Sequence, residues 1–588
     1  MMTHAKRLVA LTVALALVTP GFAADPHQSA PVPDRAAIEA REAAIFPTAV
    51  REVRSERGIV AGTASPIAVE AGAQVLREGG TAADAAATTA LVQVTTMLGA
   101  NVSPAGVLQL VYYEARTGKV HVLDAGWGTW RGETSPATIP DTDLSLVTGR
   151  AATLKPGPAG RKMLVPGFMA GIEAMHTRFG RLPFRRLFDP AIWYADHGVP
   201  VTGLLAAYFS IGTAKLMETP EGRRFAKPGG ADFPKLGERY LQPELANLYK
   251  AVAAHGAREM YRGRWARHYV DAVRSAGGAA AMADMRAYAP RWGKPLETAF
   301  DGATVMGPDA RNTSSCAALE ALNLIGHAKA VGEAEAFRAT ALALRVAIFS
   351  HWGPAAAAFE KAAGIGGSCT ARMSPAYGSI ASGAMETMLG GTADPAPEGH
   401  HSASVVVVDR WGNVAALVHS SNTAVWGDSG MVVDGVPLPV PASNYRHLLV
   451  GLTPGARVPS DMAPVIVLQG GKPVLAVATI GSSVVPETVR LVATLGRPGS
   501  LAAILGAPPL LLNYEEQSLP LMGREEFVPA GRYSPAMLNA VRAGGLRVRE
   551  VDAQRALYVR GTAAVARIGG GDRRSAEVPG VLTFAAAE

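Results

Sequence analysis

The stretch "HSASVVVVDRWGNVAALVHSSN", residues 401–422, decides the fold. Two apolar runs, 405–408 and 414–419, flank an Asp-Arg-Trp-Gly-Asn turn, the pattern of a buried β-hairpin. A hairpin in a core needs only Val and Leu on its strands. This one begins with small hydroxyls, Ser402 and Ser404, directly after His400 and His401, and it ends in Ser420, Ser421 and Asn422. A hydroxyl is weak at neutral pH and needs a base. If the peptide bond before Ser402 is cut, the freed α-amine lies beside the hydroxyl, and such an amine titrates at about pH 8, within reach of a working base. The aperiodic Pro/Gly loop "GTADPAPEGH" (391–400) just upstream suits such a cut. Local pattern alone also admits a Ser-capped core strand.

Working outward, residues 58–98 begin as a strand, continue as a helix from about Pro66, stop at Gly79-Gly80 and resume as an Ala-rich helix from about Ala82. "GVLQLVYYEARTGKVHVLDAG" (106–126) reads as two alternating strands around an Arg-Thr-Gly-Lys turn. Residues 24–55 read as a loose arm leading into a helix. Residues 164–202 read as helical with Pro and Gly breaks, and a helical middle is expected to about 390. Downstream, "PVIVL" and "PVLAVAT" pair around "QGGK", a helix starts at "PETVRLVATL", and the C-terminal end is strand-like. The class is α/β (α+β): a mostly antiparallel sheet covered by helices.

The 588 residues are 48% hydrophobic and 18% charged, a globular composition. The net charge of +7 is spread along the chain, with no Lys/Arg block and no aromatic-basic interleaving, which argues against nucleic acid as a partner. Residues 1–23 carry a basic head, an apolar stretch and a small-residue exit, the pattern of a secretory signal peptide cut after Ala23. No later run reaches about 18 uncharged apolar residues, so no membrane association is expected once the signal is removed. The expected location is periplasmic or secreted. Export allows Cys316 and Cys369 to pair, two buried thiols being the alternative, and two cysteines alone make no zinc site.

Four segments, in order, carry a resemblance: "GIVAGTASPIAVEAGAQVLREGGTAADAA" (58–86), "VPGFMAGIEAMHTRFGRLPFRRLFDPAIWYADHGVPV" (165–201), "SASVVVVDRWGNVAALVHSSNTAVWG" (402–427) and "RVPSDMAPVIVLQGGKPVLAVATIGSS" (457–483). Together they resemble the γ-glutamyltranspeptidase family of N-terminal nucleophile hydrolases, over most of the mature chain. The resemblance implies a four-layer αββα sandwich and a precursor that cuts itself between His401 and Ser402. A large chain, 24–401, and a small chain, 402–588, then stay together as one intertwined domain. The family's nucleophilic Thr falls on Ser402, with Ser404 a rival. The supporting Thr falls on Ser420, the Asn after it on Asn422, and the paired oxyanion glycines on Gly481 and Ser482. An amide transition state needs such N–H donors aimed at the developing charge, and the start of a helix offers them.

The same comparison shows departures. The Arg that holds the glutamyl α-carboxylate falls on or near Gly126, with Arg131 a nearby substitute, and the Ser-Ser pair reads Ser460-Asp461. An ionised Asp461 repels a carboxylate. The residues that grip the α-amine fall near Val436 and Pro439, with Asp434 close by, and the family's glycine-rich stretch reads "GANVSPAGV" (99–107). Each charge-assisted hydrogen bond is worth about 1.5–3 kcal/mol, so losing two or three lowers specificity for glutamate by roughly 10³-fold or more. The expected activity is therefore a self-processing amide hydrolase or acyltransferase without metal or organic cofactor. It acts on small amides or peptides, with water, an amine or a peptide as acceptor. The acyl group is γ-glutamyl, as in glutathione-like compounds, or a different one, such as an acyl group with a cationic end facing Asp461. A reading of another class is an uncleaved relative that only binds small peptides or amides. A classical hydrolase triad is disfavoured, since no G-x-S-x-G elbow follows a buried strand in the needed context, and His400 and His401, which would alternate across a strand, make a poor metal pair and read as loop residues.

Overall fold

A computed structural model describes residues 32–44, 50–142, 157–230, 232–352, 360–361, 364–385, 402–423, 425–481, 483–494, 500–508, 525–552, 562–578 and 582–588. Strands Ala403–Val408 and Val414–Ser420 pair antiparallel, from Ala403 opposite His419 to Val408 opposite Val414. Their turn is closed by Asp409, whose Oδ1 accepts from the N–H groups of Trp411 (3.0 Å) and Asn413 (2.9 Å). Its Oδ2 accepts from Ala82 N at 2.9 Å, at the first turn of helix Ala82–Thr96. One buried carboxylate thus shapes the hairpin and fastens it to a helix N-terminus, where negative charge is favoured.

Strand residues alternate between faces, and that alternation sorts the interior into three cores. Val405 and Val407 join the helices Pro66–Arg77, Ala82–Thr96 and Phe168–Phe179 in one cluster. Val406 and Val408 join Ile466, Ala476, Ala478 and Ala564 of a second sheet in another. The opposite-parity residues Val465, Val467 and Val477 face helices Thr313–His327, Glu333–Trp352 and Val484–Val492 in a third. The layers are therefore helix, sheet, sheet, helix, as the resemblance implies.

In each sheet seven described strands pair antiparallel throughout. One runs Thr583–Ala587, Ile59–Thr63, Ala403–Val408, Val414–Ser420, Val107–Glu114, Lys119–Ala125, Arg291–Gly293. The other runs Arg51–Ser55, Asp572–Glu577, Thr562–Gly569, Lys472–Ile480, Val465–Gln469, Ala303–Gly307, Leu296–Phe300. The helix–turn–helix at 66–96 and the pairs at 107–125 and 465–480 lie where the sequence placed them. Two readings are corrected. Arg51–Ser55 is a strand rather than part of a loose arm, and the expected helical middle is interrupted by Arg291–Gly293, Leu296–Phe300 and Ala303–Gly307. In Leu296–Phe300 only alternate residues are buried, and its turn is Asp301-Gly302, both at positive φ (47° and 72°), a tight hairpin signature.

Ala82–Thr96 is buried on every side. Its small side chains let Pro66–Arg77 approach closely: a Cβ on Gly72 would lie 2.1 Å from Thr89 Oγ1. In the far helical layer Cys316 and Cys369 form a disulfide, with Cα atoms 5.7 Å apart, which settles the two alternatives in favour of pairing. The same layer holds a fully buried ion pair, Arg345 Nε to Glu526 Oε1 at 2.6 Å. Removing one partner of such a pair strands a charge. Glu526→Ala is expected to lower unfolding free energy by about 3–5 kcal/mol in urea titrations, and the double variant Arg345→Met/Glu526→Leu to recover most of it.

Candidate active site

Antiparallel register makes the site. Ala403 lies opposite His419, so the next pair outward sets Ser402 opposite Ser420. Side chains directly opposite each other stand within hydrogen-bond reach. Ser402 Oγ donates to Ser420 Oγ at 2.8 Å, with Ser402 half-buried and Ser420 buried. Ser420 Oγ also accepts from Asn422 N at 2.8 Å. That bond needs Asn422 in the left-handed region (φ 47°), which Asn tolerates better than most residues. Trp127 Nε1 donates to Asn422 Oδ1 (3.0 Å) and Asn444 Nδ2 to Asn422 O (2.6 Å), fixing it from two sides. Gly106 is obligatory beside this pair: a Cβ there would lie 2.4 Å from Ser420 O.

The Ser460-Asp461 segment is tied to the same place. Val458 N donates to Trp127 O at 2.9 Å, and Tyr445, next to Asn444, donates its hydroxyl to Asp461 Oδ2 at 2.7 Å. Ser460 O accepts from Thr313 N (2.9 Å) and Oγ1 (3.2 Å), at the start of helix Thr313–His327. Strand Lys472–Ile480 packs across the inter-sheet core against both hairpin strands and ends in Gly481, at φ 99°, a conformation open to glycine. Helix Val484–Val492 follows, so Gly481 lies just ahead of a helix N-terminus, where negative charge is favoured. Ser482 lies outside the described residues, as do His400 and His401.

Ser404, the rival nucleophile, is placed differently from Ser402. It lies within a strand, fully buried, with its N–H on Thr63 Oγ1 (2.8 Å) and its Oγ accepting from Ala564 N (3.4 Å) of the facing sheet. His419 is next to Ser420 but on the opposite face of the strand, buried against Phe168. Its Nε2 meets Gln93 Oε1 at 2.8 Å, and Gln93 Nε2 donates to Thr63 O and Ser404 O. Gln93 Oε1 is thus the acceptor, so the imidazole carries its proton on Nε2. Burial holds its pKa down at about 3. It cannot serve as the base for Ser402.

The glutamate-reading positions fare differently. Gly126 supplies no cation, and a Cβ there would lie 2.8 Å from Asp124 Oδ1, the oxygen that accepts from Gly126 N. The Gly126 carbonyl instead accepts from Arg457 Nη1 (2.8 Å) and Tyr288 Oη (2.7 Å). Arg131 does not stand in for the missing cation: it pairs with Asp284 at 2.9 Å. Asp434, also at positive φ (45°), contacts His268 (3.0 Å) in the wall of a cleft of about 400 Å³ that Phe225 and Tyr240 help to line. Val436 is buried in the short hairpin beside it, and Pro439 is buried as well.

The model of the γ-glutamyltranspeptidase family matches residues 68–515. The chain belongs to the γ-glutamyltranspeptidase family. It is an enzyme of that type, a hydrolase or acyltransferase with the N-terminal nucleophile fold. Acylase ACY 1 proenzyme of Pseudomonas sp. (strain V22) is 26% identical over 492 residues, 81% of this chain and 82% of that one. The glutathione hydrolase proenzyme of Pseudomonas sp. (strain A14) is 26% identical over 466 residues, 73% and 77% of the two chains. The crystal structure of cephalosporin acylase from Bacillus halodurans superposes with a TM-score of 0.73 at 19% identity, covering 92% of this chain and 98% of that one, a likeness of fold.

Within this family member, Trp127, Asn444 and Tyr445 are site residues that sequence reasoning missed. Their one local signal was a Trp in the glycine-rich "LDAGWGTW" and a polar pair after "VPLPVPAS". His419 yields a pH test. The unfolded chain binds its proton at about 6.5 and the folded chain only at about 3, so stability held above pH 6.5 is lost as pH falls towards 3. At pH 5 the loss from this group is about 2 kcal/mol. Urea titrations at pH 7 and pH 5 are expected to show it in the native chain and not in His419→Gln.

Proposed function

We propose that this chain is an exported, self-processing acylase that hydrolyses, or transfers from, amides of an acyl group other than γ-glutamyl. The observation that carries the reading is the 2.8 Å contact between Ser402, at the head of its strand, and Ser420, with the neighbouring His419 turned away and held neutral. Among the described residues no histidine or carboxylate hydrogen-bonds Ser402, so the base is the α-amine released when the bond from His401 to Ser402 is cut. The products are residues 24–401 and 402–588, which stay together through shared sheets.

Ser402 Oγ attacks the amide carbon while its own α-amine takes the Oγ proton. The Ser420 hydroxyl, polarised by Asn422 N–H, turns its hydrogen to the oxygen of Ser402. The N–H groups of Gly481 and Ser482 hold the oxyanion, each such donor being worth roughly 10²–10³ in rate. The α-ammonium then protonates the departing amine, leaving an ester on Ser402. Water or an acceptor amine attacks that ester by the reverse route and frees the acyl group.

The substrate assignment rests on the residues at the glutamate-reading positions. Gly126 supplies no cation, Arg131 pairs with Asp284, and Asp461 adds a carboxylate where a Ser-Ser pair would bind one. The related acylase proenzyme supports this over the glutathione hydrolase reading, which remains the second. Export is supported by the head of the sequence and by the disulfide, which persists in oxidising compartments.

Two measurements test the proposal. Intact-mass analysis of the purified chain is expected to show an N-terminus at Ser402, and Ser402→Ala to remain one chain; normal scission in that variant refutes the assignment. With processed enzyme, kcat/KM for neutral acyl p-nitroanilides is expected to exceed that for γ-glutamyl-p-nitroanilide by roughly 10³-fold. The opposite order would restore the γ-glutamyl reading.

A further inference from the structure

Asn101 lies in the segment that leaves the buried helix Ala82–Thr96, where Leu98, Gly99 and Asn101 have φ of 52°, 72° and 62°. It is 1% exposed. Its backbone and side chain serve the loop that follows Ser420. Its carbonyl accepts from Ser421 N (2.9 Å), its N–H donates to Val425 O (3.0 Å), and its Oδ1 accepts from Val425 N (2.9 Å). Its Nδ2 donates to Tyr208 Oη at 3.1 Å. Asn101 therefore grips residues 421 and 425 from one side, and Asn422 stands between the two grips. Val425 itself has φ 48°, which a β-branched side chain strongly disfavours. Both of its backbone polar groups bond Asn101, and this pairing holds the loop in a conformation its own sequence resists.

We infer that Asn101 is a positioning residue for acyl transfer: it holds the loop so that Asn422 N–H stays on Ser420 Oγ and Ser420 stays aimed at Ser402. This rests on Ser402 being the nucleophile. With the clamp gone, the loop relaxes, Ser420 Oγ loses one of its two donors and rotates, and its hydrogen no longer meets the oxygen of Ser402 as charge develops there. The loss falls on the bond-making step and spares binding. Asn fits because it tolerates positive φ and places an acceptor oxygen on Val425 N; Asp keeps both properties, and its second oxygen accepts from Tyr208 Oη where the amide donated.

The test uses the full chain with p-nitrophenyl acetate as acyl donor, rates being counted per cleaved molecule from the burst amplitude. Asn101→Gly keeps the backbone conformation and removes the side chain. It is expected to lower kcat 10–100-fold with KM within about threefold. The acid limb of the pH profile should stay in place, because the α-amine is untouched. Asn101→Asp is expected to return kcat to within about threefold of the native value. A kcat for Asn101→Gly within twofold of native, or an Asn101→Asp as impaired as Asn101→Gly, overturns the inference. If Asn101→Gly gives no folded protein, Asn101→Ser takes its place with the same expected loss and the same overturning result. Failure of the underlying reading is seen separately: a native chain that is uncut before Ser402 and shows no burst refutes both, without recourse to any variant of Asn101.

Discussion

The register of one strand pair governs this molecule. Because Ala403 faces His419, Ser402 must face Ser420, and the two hydroxyls meet where the ladder ends. A slip of one residue would turn every side chain of the strand to the other face, burying Ser402 among the helices and exposing its neighbours to the wrong layer. Four valines in succession, two for each core, make that slip costly. Much of the remaining structure keeps this register in place. Asp409 fastens the turn, Gln93 bonds the backbone of both Thr63 and Ser404, and Gly106 lets a neighbouring backbone lie against Ser420.

Around this pair, apolar packing and polar restraint divide the labour. The core between the sheets is built mainly from branched aliphatic residues and alanine, and aromatic residues such as Trp265 and Trp426 fill the core beneath the helices. The polar side chains that enter the site do so in hydrogen-bonded series, from Ser402 to Ser420 to Asn422 to Trp127, and from Asn422 to Asn444, beside Tyr445 and Asp461. Positive φ values gather in the same region, at Leu98, Asn101, Asn422 and Val425. Each such non-glycine residue costs about 1–3 kcal/mol and persists only where its surroundings over-determine it. The strain is concentrated where geometry matters for chemistry.

The hairpin and the paired helices at 66–96 were legible in the sequence because each is a contiguous pattern, an alternating run or a glycine stop, while the candidate positions at 402, 420 and 481 were carried over from the family resemblance, the local pattern alone admitting a plain core strand. Trp127, Asn444 and Tyr445 were not legible. Each reaches the site through space from a segment whose local pattern says only turn or loop. Leu296–Phe300 escaped notice because it is a short edge strand with alternate residues in water, set between longer helical stretches. The divergence of the glutamate contacts was visible as missing residue types. The fold of Asp124 back onto the turn at Gly126 was not, since it is a contact no local pattern announces.

The sheet order has a mechanical consequence. Thr583–Ala587 lies on one side of Ile59–Thr63 and Ala403–Val408 on the other, while Arg51–Ser55 pairs with Asp572–Glu577. Segments from before and after residue 402 are therefore interleaved like the teeth of two combs. Severing the backbone there removes one covalent link and no rung of either sheet, so the two fragments are held by topology and neither has a complete interior of its own.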